Sequence, residues 1–352
     1  MQKQSIQTLL INNRYASYVC TFVFAFAAVV FGISMGSTSI PFFTTVSVLC
    51  DQLFHVKVGN PADVAVINII MSIRFPRVVL AFLVGTSLSL AGAAFQGLLK
   101  NPLADPYTLG VSSGGALGAV FVLFFQIQLP LLGAFTLPFI SITASIAALF
   151  LVLLFVRLAD KRMTIESFIL TGIIMSSFFG ALLSLLIALT GEELRNIISW
   201  LLGSVSMRGW DYIKLIFPFT LVSFFVLLLL AKDLNAISFG EESALHLGVN
   251  VVRTKSIVLI CASILTGAAV AVSGTIGFVG LVIPHVTRMI WGPNHIRLLP
   301  LSALTGGAFL VLADLVSRTI IAPAELPIGV ITAIIGAPIF ALLFIQRNRK
   351  RK

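Results

Sequence analysis

Long apolar runs dominate this chain, and few architectures accept them. A helix of roughly twenty apolar residues crosses the hydrocarbon of a bilayer. Ten such runs follow one another, near 15–35, 77–99, 109–129, 132–156, 166–190, 212–231, 254–273, 275–291, 299–321 and 327–346. Hydrophobic residues make up 58% of the 352, and the mean hydropathy is +1.07. The expected fold class is an all-α integral membrane protein with ten transmembrane helices. No polar stretch is long enough for a separate soluble domain, so residues 1–352 read as a single transmembrane domain. Such a chain carries no nucleotide-binding or catalytic domain of its own. Any energy source is then an ion gradient or another subunit.

The basic residues fix an orientation. With the N-terminus inside and the spans alternating, sixteen of the 23 Lys and Arg fall inside and seven outside. That bias places both termini in the cytoplasm. It also explains the net charge of +10 without nucleic acid, because the basic residues sit at span ends and in the tail Arg347–Lys352. Lys3 and Arg14 precede the first run and no small-residue cleavage site follows, so that run reads as an uncleaved span. Cys20, Cys50 and Cys261 have no metal-ligand spacing and read as structural.

One polar island interrupts the second half. Residues 232–255 hold Lys232, Asp233, Glu241, Glu242, His246, Arg253 and Lys255, in a chain with only 10% charged residues. Within it, 243–247 reads as a short helix, with Glu241 and Glu242 at its N-terminus and Gly248 as its stop. The orientation puts this helix inside. It is either an ordinary interfacial connector or a handle for something outside the membrane.

Two stretches echo each other. Residues 83–92 and 265–274 both carry Gly, seven residues, Gly (Gly85 and Gly92, Gly267 and Gly274). Small residues let helices approach closely in lipid, so simple packing accounts for each copy alone. The copies run in opposite directions across the membrane, which fits an inverted repeat of spans 2–5 and 7–10.

Charges within the spans are few and therefore informative. Asp314 and Arg318 lie four apart near the outer end of span nine and can pair. Arg74 and Arg77 flank Pro76 at the outer start of span two. Arginines at the outer ends run against the inside bias, and they either snorkel to headgroups or receive an acidic partner. No acid or His sits convincingly at mid-membrane, which argues against an ion-coupled carrier. His285 has no second ligand at metal spacing. A membrane enzyme using His285 and Asp314 would need them in one cavity, and they lie at different depths.

A set of motifs runs through the chain in order. The motifs are Arg74-Phe-Pro-Arg77, Leu90-Ala-Gly92-Ala-Ala-Phe-Gln96-Gly97, Asn101-Pro-Leu-Ala-Asp-Pro106 with Leu109–Gly114, and Gly274–His285 with Arg288. They continue with Pro300-Leu-Ser302, Ala313-Asp314 with Arg318, Glu325-Leu-Pro-Ile-Gly329 and Gly336-Ala-Pro338. The chain resembles the permease subunits of ABC importers for ferric siderophores, haem and cobalamin, the iron-complex transport (FecCD-type) family. The first fifty residues and 120–235 match mainly in hydropathy.

The resemblance implies a permease domain in the cytoplasmic (inner) membrane of a bacterium, importing an iron–siderophore complex, with haem or cobalamin as alternatives. It implies a second permease subunit, as homodimer or heterodimer, two cytoplasmic ATPase subunits that carry ATP and Mg, and an extracytoplasmic substrate-binding protein. The chain itself would bind no cofactor, catalyse no covalent chemistry, and contact membrane lipid but no nucleic acid. Arg74, Arg77 and Arg318 would meet acidic residues of the binding protein. Glu241, Glu242, Ala244, Leu247 and Gly248 would form the coupling helix that sits in the ATPase. Asn101 and Leu103 would narrow the cytoplasmic mouth.

Overall fold

A computed structural model describes residues 14–36, 40–56, 63–160 and 164–349, and among them there is no β-strand. The helices, in order, are α1 (Arg14–Ser34), α2 (Phe42–Phe54), α3 (Val64–Leu98), α4 (Val111–Phe124), α5 (Thr136–Ala159), α6 (Ile165–Leu189) and α7 (Leu194–Leu201). Then come α8 (Gly209–Leu229), α9 (Ala231–Ser238), α10 (Glu241–His246), α11 (Val251–Ser273), α12 (Val279–Trp291), α13 (His295–Thr319) and α14 (Ile328–Arg349). Seven are long and apolar enough to cross a membrane: α1, α3, α5, α6, α8, α11 and α13, with Gly133–Phe135 adding a short 3-10 lead to α5. The chain is an integral membrane protein with several membrane-spanning helices.

Every expected run contains a helix, but two are cut short. The run at 109–129 yields a helix only over Val111–Phe124, and the run at 275–291 only over Val279–Trp291. At ~1.5 Å per residue each covers about 20 Å, less than a ~30 Å hydrocarbon core. The reason is local backbone. Gly110 (φ 79°) caps α4, while Gly274 (φ 73°) ends α11 and Phe278 (φ 67°) starts α12. The unwound stretch between α11 and α12 is satisfied by neighbours, as irregular backbone at membrane depth must be. The Tyr107 hydroxyl donates to the Ile276 carbonyl at 2.9 Å and accepts from the Ile276 N–H at 2.8 Å. Thr275 donates to the Leu201 carbonyl, and Ser204 N–H to the Ser273 carbonyl at 2.7 Å.

Helix α3 is the hub. Most of its apolar length is buried, 83% against 17% for α6, whose sides are largely open. It packs on α13, α11, α12 and α8. Close approach explains its glycines: a Cβ on Gly85 would collide with the Gly306 backbone, and one on Gly92 with the Gly280 backbone. A π-helical stretch, Ile69–Arg74, precedes Pro76. Pro76 has no N–H for the usual i−4 carbonyl, so the ladder shifts register there and turns Arg74 inward.

The packing repeats under an exchange of α3 with α11, α4 with α12, α5 with α13 and α6 with α14. Contacts of α3 with α13, α4 with α5, α3 with α12 and α4 with α6 recur as α11 with α5, α12 with α13, α11 with α4 and α12 with α14. The sequence echo is looser than the packing. Gly85 and Gly267 both lie within helices, whereas Gly92 lies inside α3 and Gly274 ends α11.

Candidate functional site

Two groups of polar residues occupy opposite ends of α3. The first end gathers Arg74 and Arg77 of α3, the C-terminus of α1, the last turns of α13, and Glu325. Arg77 is the centre. Its Nε and Nη2 donate to Asp314 Oδ1 at 3.0 and 2.9 Å, and Nη1 donates to Glu325 Oε1 at 2.7 Å and Ser206 Oγ at 3.2 Å. Arg74 Nη1 donates to the carbonyls of Ser34 at 2.7 Å and Ile33 at 3.2 Å. Arg318 donates to the carbonyl of Gly32, and its Nε lies 3.5 Å from Asp314 Oδ2.

The three arginines expected at an exposed docking face are thus brought together but turned inward. Arg74 and Arg318 are each 5% exposed, and Asp314 is fully buried. The physics is that of paired burial: each cation finds a carboxylate or the C-terminal carbonyls of a helix. Asp314 and Arg318 do lie together as their spacing suggests, but the closer partner of Asp314 is Arg77, across the helix pair. Glu325 is the open member, its side chain 39% exposed against 10% for Arg77. Burial pushes the Glu325 carboxyl up, but the Arg77 guanidinium together with Ser206 and Arg318 holds it below the usual carboxylate range.

The second end carries the polar island. It is less of a loop than expected: α9 fills 231–238, and α11 already begins at Val251, so Arg253 and Lys255 are helical. The short helix runs Glu241–His246, with both glutamates in its first turn. It closes in a Schellman turn, with Val249 N–H on the Ala244 carbonyl at 3.0 Å and Gly248 N–H on Leu245 at 2.9 Å, and Gly248 at φ 81°. Ala244 is fully buried against Ile237 and Val251. Glu241 Oε1 accepts from Lys255 Nζ at 2.7 Å, and Asp233 accepts from Thr254 at 3.2 Å. The outer face of this anchored helix shows Glu242, Leu245 and Leu247, the last 71% exposed.

Between the ends of α3 and α4 lies the loop 99–105. Asn101 Oδ1 accepts from Leu103 N–H at 3.0 Å, which leaves the Leu103 side chain exposed. Asp105 caps the following 3-10 turn by accepting from Tyr107 N–H at 3.3 Å. Burial pushes the Asp105 carboxyl up to about 6, against that hydrogen bond. Tyr107 carries no sequence signal beyond an aromatic hydroxyl amid apolar residues.

The model of the FecCD transport family matches residues 23–346. The chain belongs to that family. It is 55% identical over 349 residues, 99% of either chain, to the uncharacterized ABC transporter permease protein YvrB of Bacillus subtilis (strain 168). It is 42% identical to the cobalamin import system permease protein BtuC of Halobacterium salinarum, over 80% of this chain and 74% of that one. Among solved structures it resembles a metal-chelate type ABC transporter in an inward-facing conformation, with TM-score 0.81 and 32% identity, over 93% of this chain and 98% of that one. The chain is the permease subunit of an ABC importer and is no enzyme itself, since the ATPase of such a transporter is a separate subunit. It works with ATPase and permease partners.

Proposed function

We propose that this permease imports a ferric siderophore across the cytoplasmic membrane of a bacterium, in ten crossings with both termini cytoplasmic. Spans 2–5 and 7–10 form an inverted repeat, and the recurrence of helix contacts under exchange of α3–α6 with α11–α14 supports it. The two short helices, α4 and α12, occupy matching places in the halves.

The observation that carries the mechanism is α10. It is a capped helix, pinned by buried Ala244 and the Glu241–Lys255 pair, with Leu245, Leu247 and Glu242 facing outward. An apolar pair on a rigid polar mount suits a cleft in a cytoplasmic ATPase. ATP binding and hydrolysis there, with Mg on the partner, push α10 and hence α11. Asn101 and Leu103, on the loop at the same end, gate the inner mouth. At the other end the loaded binding protein docks at Arg77, with Arg74 and Arg318 behind it. Because these arginines are internally paired, docking exchanges an acidic residue of the partner for Glu325, the most exposed carboxylate of the network.

Co-purification from native membranes tests this reading. The expected result is a complex of two permease subunits, two ATPases and a binding protein, with ATPase activity. Glu325→Arg, at the open member of the network, is expected to change binding-protein docking in a salt-sensitive way while leaving ATPase assembly intact. Unchanged docking removes that role. A second substrate reading, cobalamin, is favoured by the 42% identity to a cobalamin permease. Uptake of iron-labelled siderophores and of cobalt-labelled cobalamin by cells with and without this chain separates the two.

A further inference from the structure

A cavity of about 340 Å³ opens at the second end of α3, lined by Gln96, Gly97, Lys100, His285, Arg288 and His295 among others. None of its lining residues is acidic. Arg288 is half-buried in the last turn of α12, and among the described residues no ion pair holds it. Its hydrogen bond runs from Nη1 to Gln96 Oε1 at 3.1 Å. Gln96 is oriented for this by its amide, which donates to the carbonyls of Leu281 at 3.0 Å and Gly280 at 3.3 Å. A guanidinium has five N–H donors, so most of its capacity is unspent.

A second polar group on the wall is also incomplete. His295 is 4% exposed, and its Nε2 has no hydrogen-bond partner. The ring is held from the other side: Asn235 Oδ1 lies 2.8 Å from Nδ1 and also accepts the His295 backbone N–H at 2.8 Å. Asn235 is fixed in turn by donating to Asn294 Oδ1 at 3.0 Å. Nδ1 therefore carries the proton, and Nε2 is an acceptor that meets a phosphate only through a P–OH hydrogen, so the pull on an anion comes from Arg288 and Lys100.

A half-buried cation without a counter-charge invites an anion, and exposed Lys100 at the rim adds a second positive charge. Oxyanions answer this arrangement: planar N–H pairs of arginine match two oxygens of a phosphate, and the lysine adds a point charge. We propose that this cavity binds a phosphate group, held by Arg288 and Lys100. The group bridges α3, the loop that carries Asn101 and Leu103, and α12. Its source is either an anionic lipid headgroup at the membrane interface or free phosphate.

The test uses the full-length chain in mild detergent, with whatever subunits accompany it. Its unfolding temperature is followed while inorganic phosphate replaces chloride at matched ionic strength. A saturable rise is expected, with the midpoint weakened about tenfold by Arg288→Gln and about threefold by Lys100→Gln. In parallel, both proteins are extracted from bilayers of phosphatidylcholine with phosphatidylglycerol, and retained lipid is measured. Retention of phosphatidylglycerol that depends on Arg288, without a phosphate response, assigns a headgroup; the reverse assigns free phosphate. Should Arg288→Gln fail to fold, Arg288→Lys and Lys100→Gln give the same comparison. The proposal is overturned if neither ligand gives an Arg288-dependent signal. It is overturned equally if Arg288→Gln merely releases a co-purifying ATPase, because the cation then pairs with an acidic side chain of that subunit.

Discussion

The two ends of α3 spend their polar residues in opposite ways. At the first end, Arg77 and Arg318 pair with Asp314 and Glu325, Arg74 bonds the carbonyls that end α1, and of these five side chains Glu325 is the one left open. At the second, α10 turns its satisfied groups down and its apolar groups out. The first end is closed on itself, and a partner there must compete for bonds already made. The second end is ready for contact, and a partner there has only water to displace. This difference matches two kinds of association: a transient one that is electrostatic and reversible, and a lasting one built on apolar contact.

The comparison breaks most severely at Asp314. Asp314→Ala leaves Arg77 without its buried carboxylate and removes the acid that lies 3.5 Å from Arg318. Losing one partner of a buried pair costs roughly 3–5 kcal/mol, because the other charge stays buried. The expected outcome is a large drop in unfolding temperature in detergent, or failure to accumulate in the membrane. A fall no larger than that of an exposed-site control shows that the network is open to water. Asp314→Asn separates charge from shape: it retains a hydrogen-bonding partner and is expected to lose nearly as much.

At the other end the stakes lie in assembly. Leu247→Asp removes an exposed apolar contact without touching the anchor, so the unfolding temperature is expected to stay put. Binding of the ATPase subunit is expected to weaken by about 2 kcal/mol, the scale of an interface hot spot and some thirtyfold in affinity. Titration of purified ATPase against variant and parent checks it. Equal affinity shows that α10 is a connector with no grip on the partner. Ala244→Glu is the contrasting change, since it attacks the buried anchor and is expected to lower stability as well.

Sequence reasoning reached these two ends unequally. Hydropathy located the cores of α1, α3 to α6, α8 and α11 to α14, because a bilayer demands apolar length whatever the neighbours are. The short helix at 241–246 was legible for a local reason: two glutamates favour its start and Gly248 its stop. The shortening of α4 and α12 was not, because it rests on positive φ at Phe278 and on Tyr107 reaching across the fold to Ile276. The amphipathic helix α2 also went unread, since its thirteen residues are too few to register as a span. The arginine cluster was half legible. Type and position marked Arg74, Arg77 and Arg318 as a group, but the pairing of Arg77 with Asp314 joins residues 237 positions apart. No local pattern carries such a contact, so exposure was expected where burial is found.

The finest test of the closed end uses pH, through Glu325. Its carboxyl titrates lower in the folded protein than in the unfolded chain, because Arg77, with Ser206 and Arg318, more than offsets the effect of burial. A depressed carboxylate contributes stability that is complete above the unfolded value. That contribution is lost as pH falls through the folded one. Acidification below the ordinary carboxylate range is therefore expected to lower the unfolding temperature, and Glu325→Gln is expected to flatten that part of the curve while starting from a lower value at neutral pH. The effect is small, since the Glu325 side chain is 39% exposed and water screens the pair. Added salt should shrink the difference between parent and variant at neutral pH, because an exposed pair is screened and a buried one is not. A parent and a Glu325→Gln variant with parallel pH curves would mean that Asp314 alone holds Arg77. The first end would then have no carboxylate that an incoming acidic residue could replace.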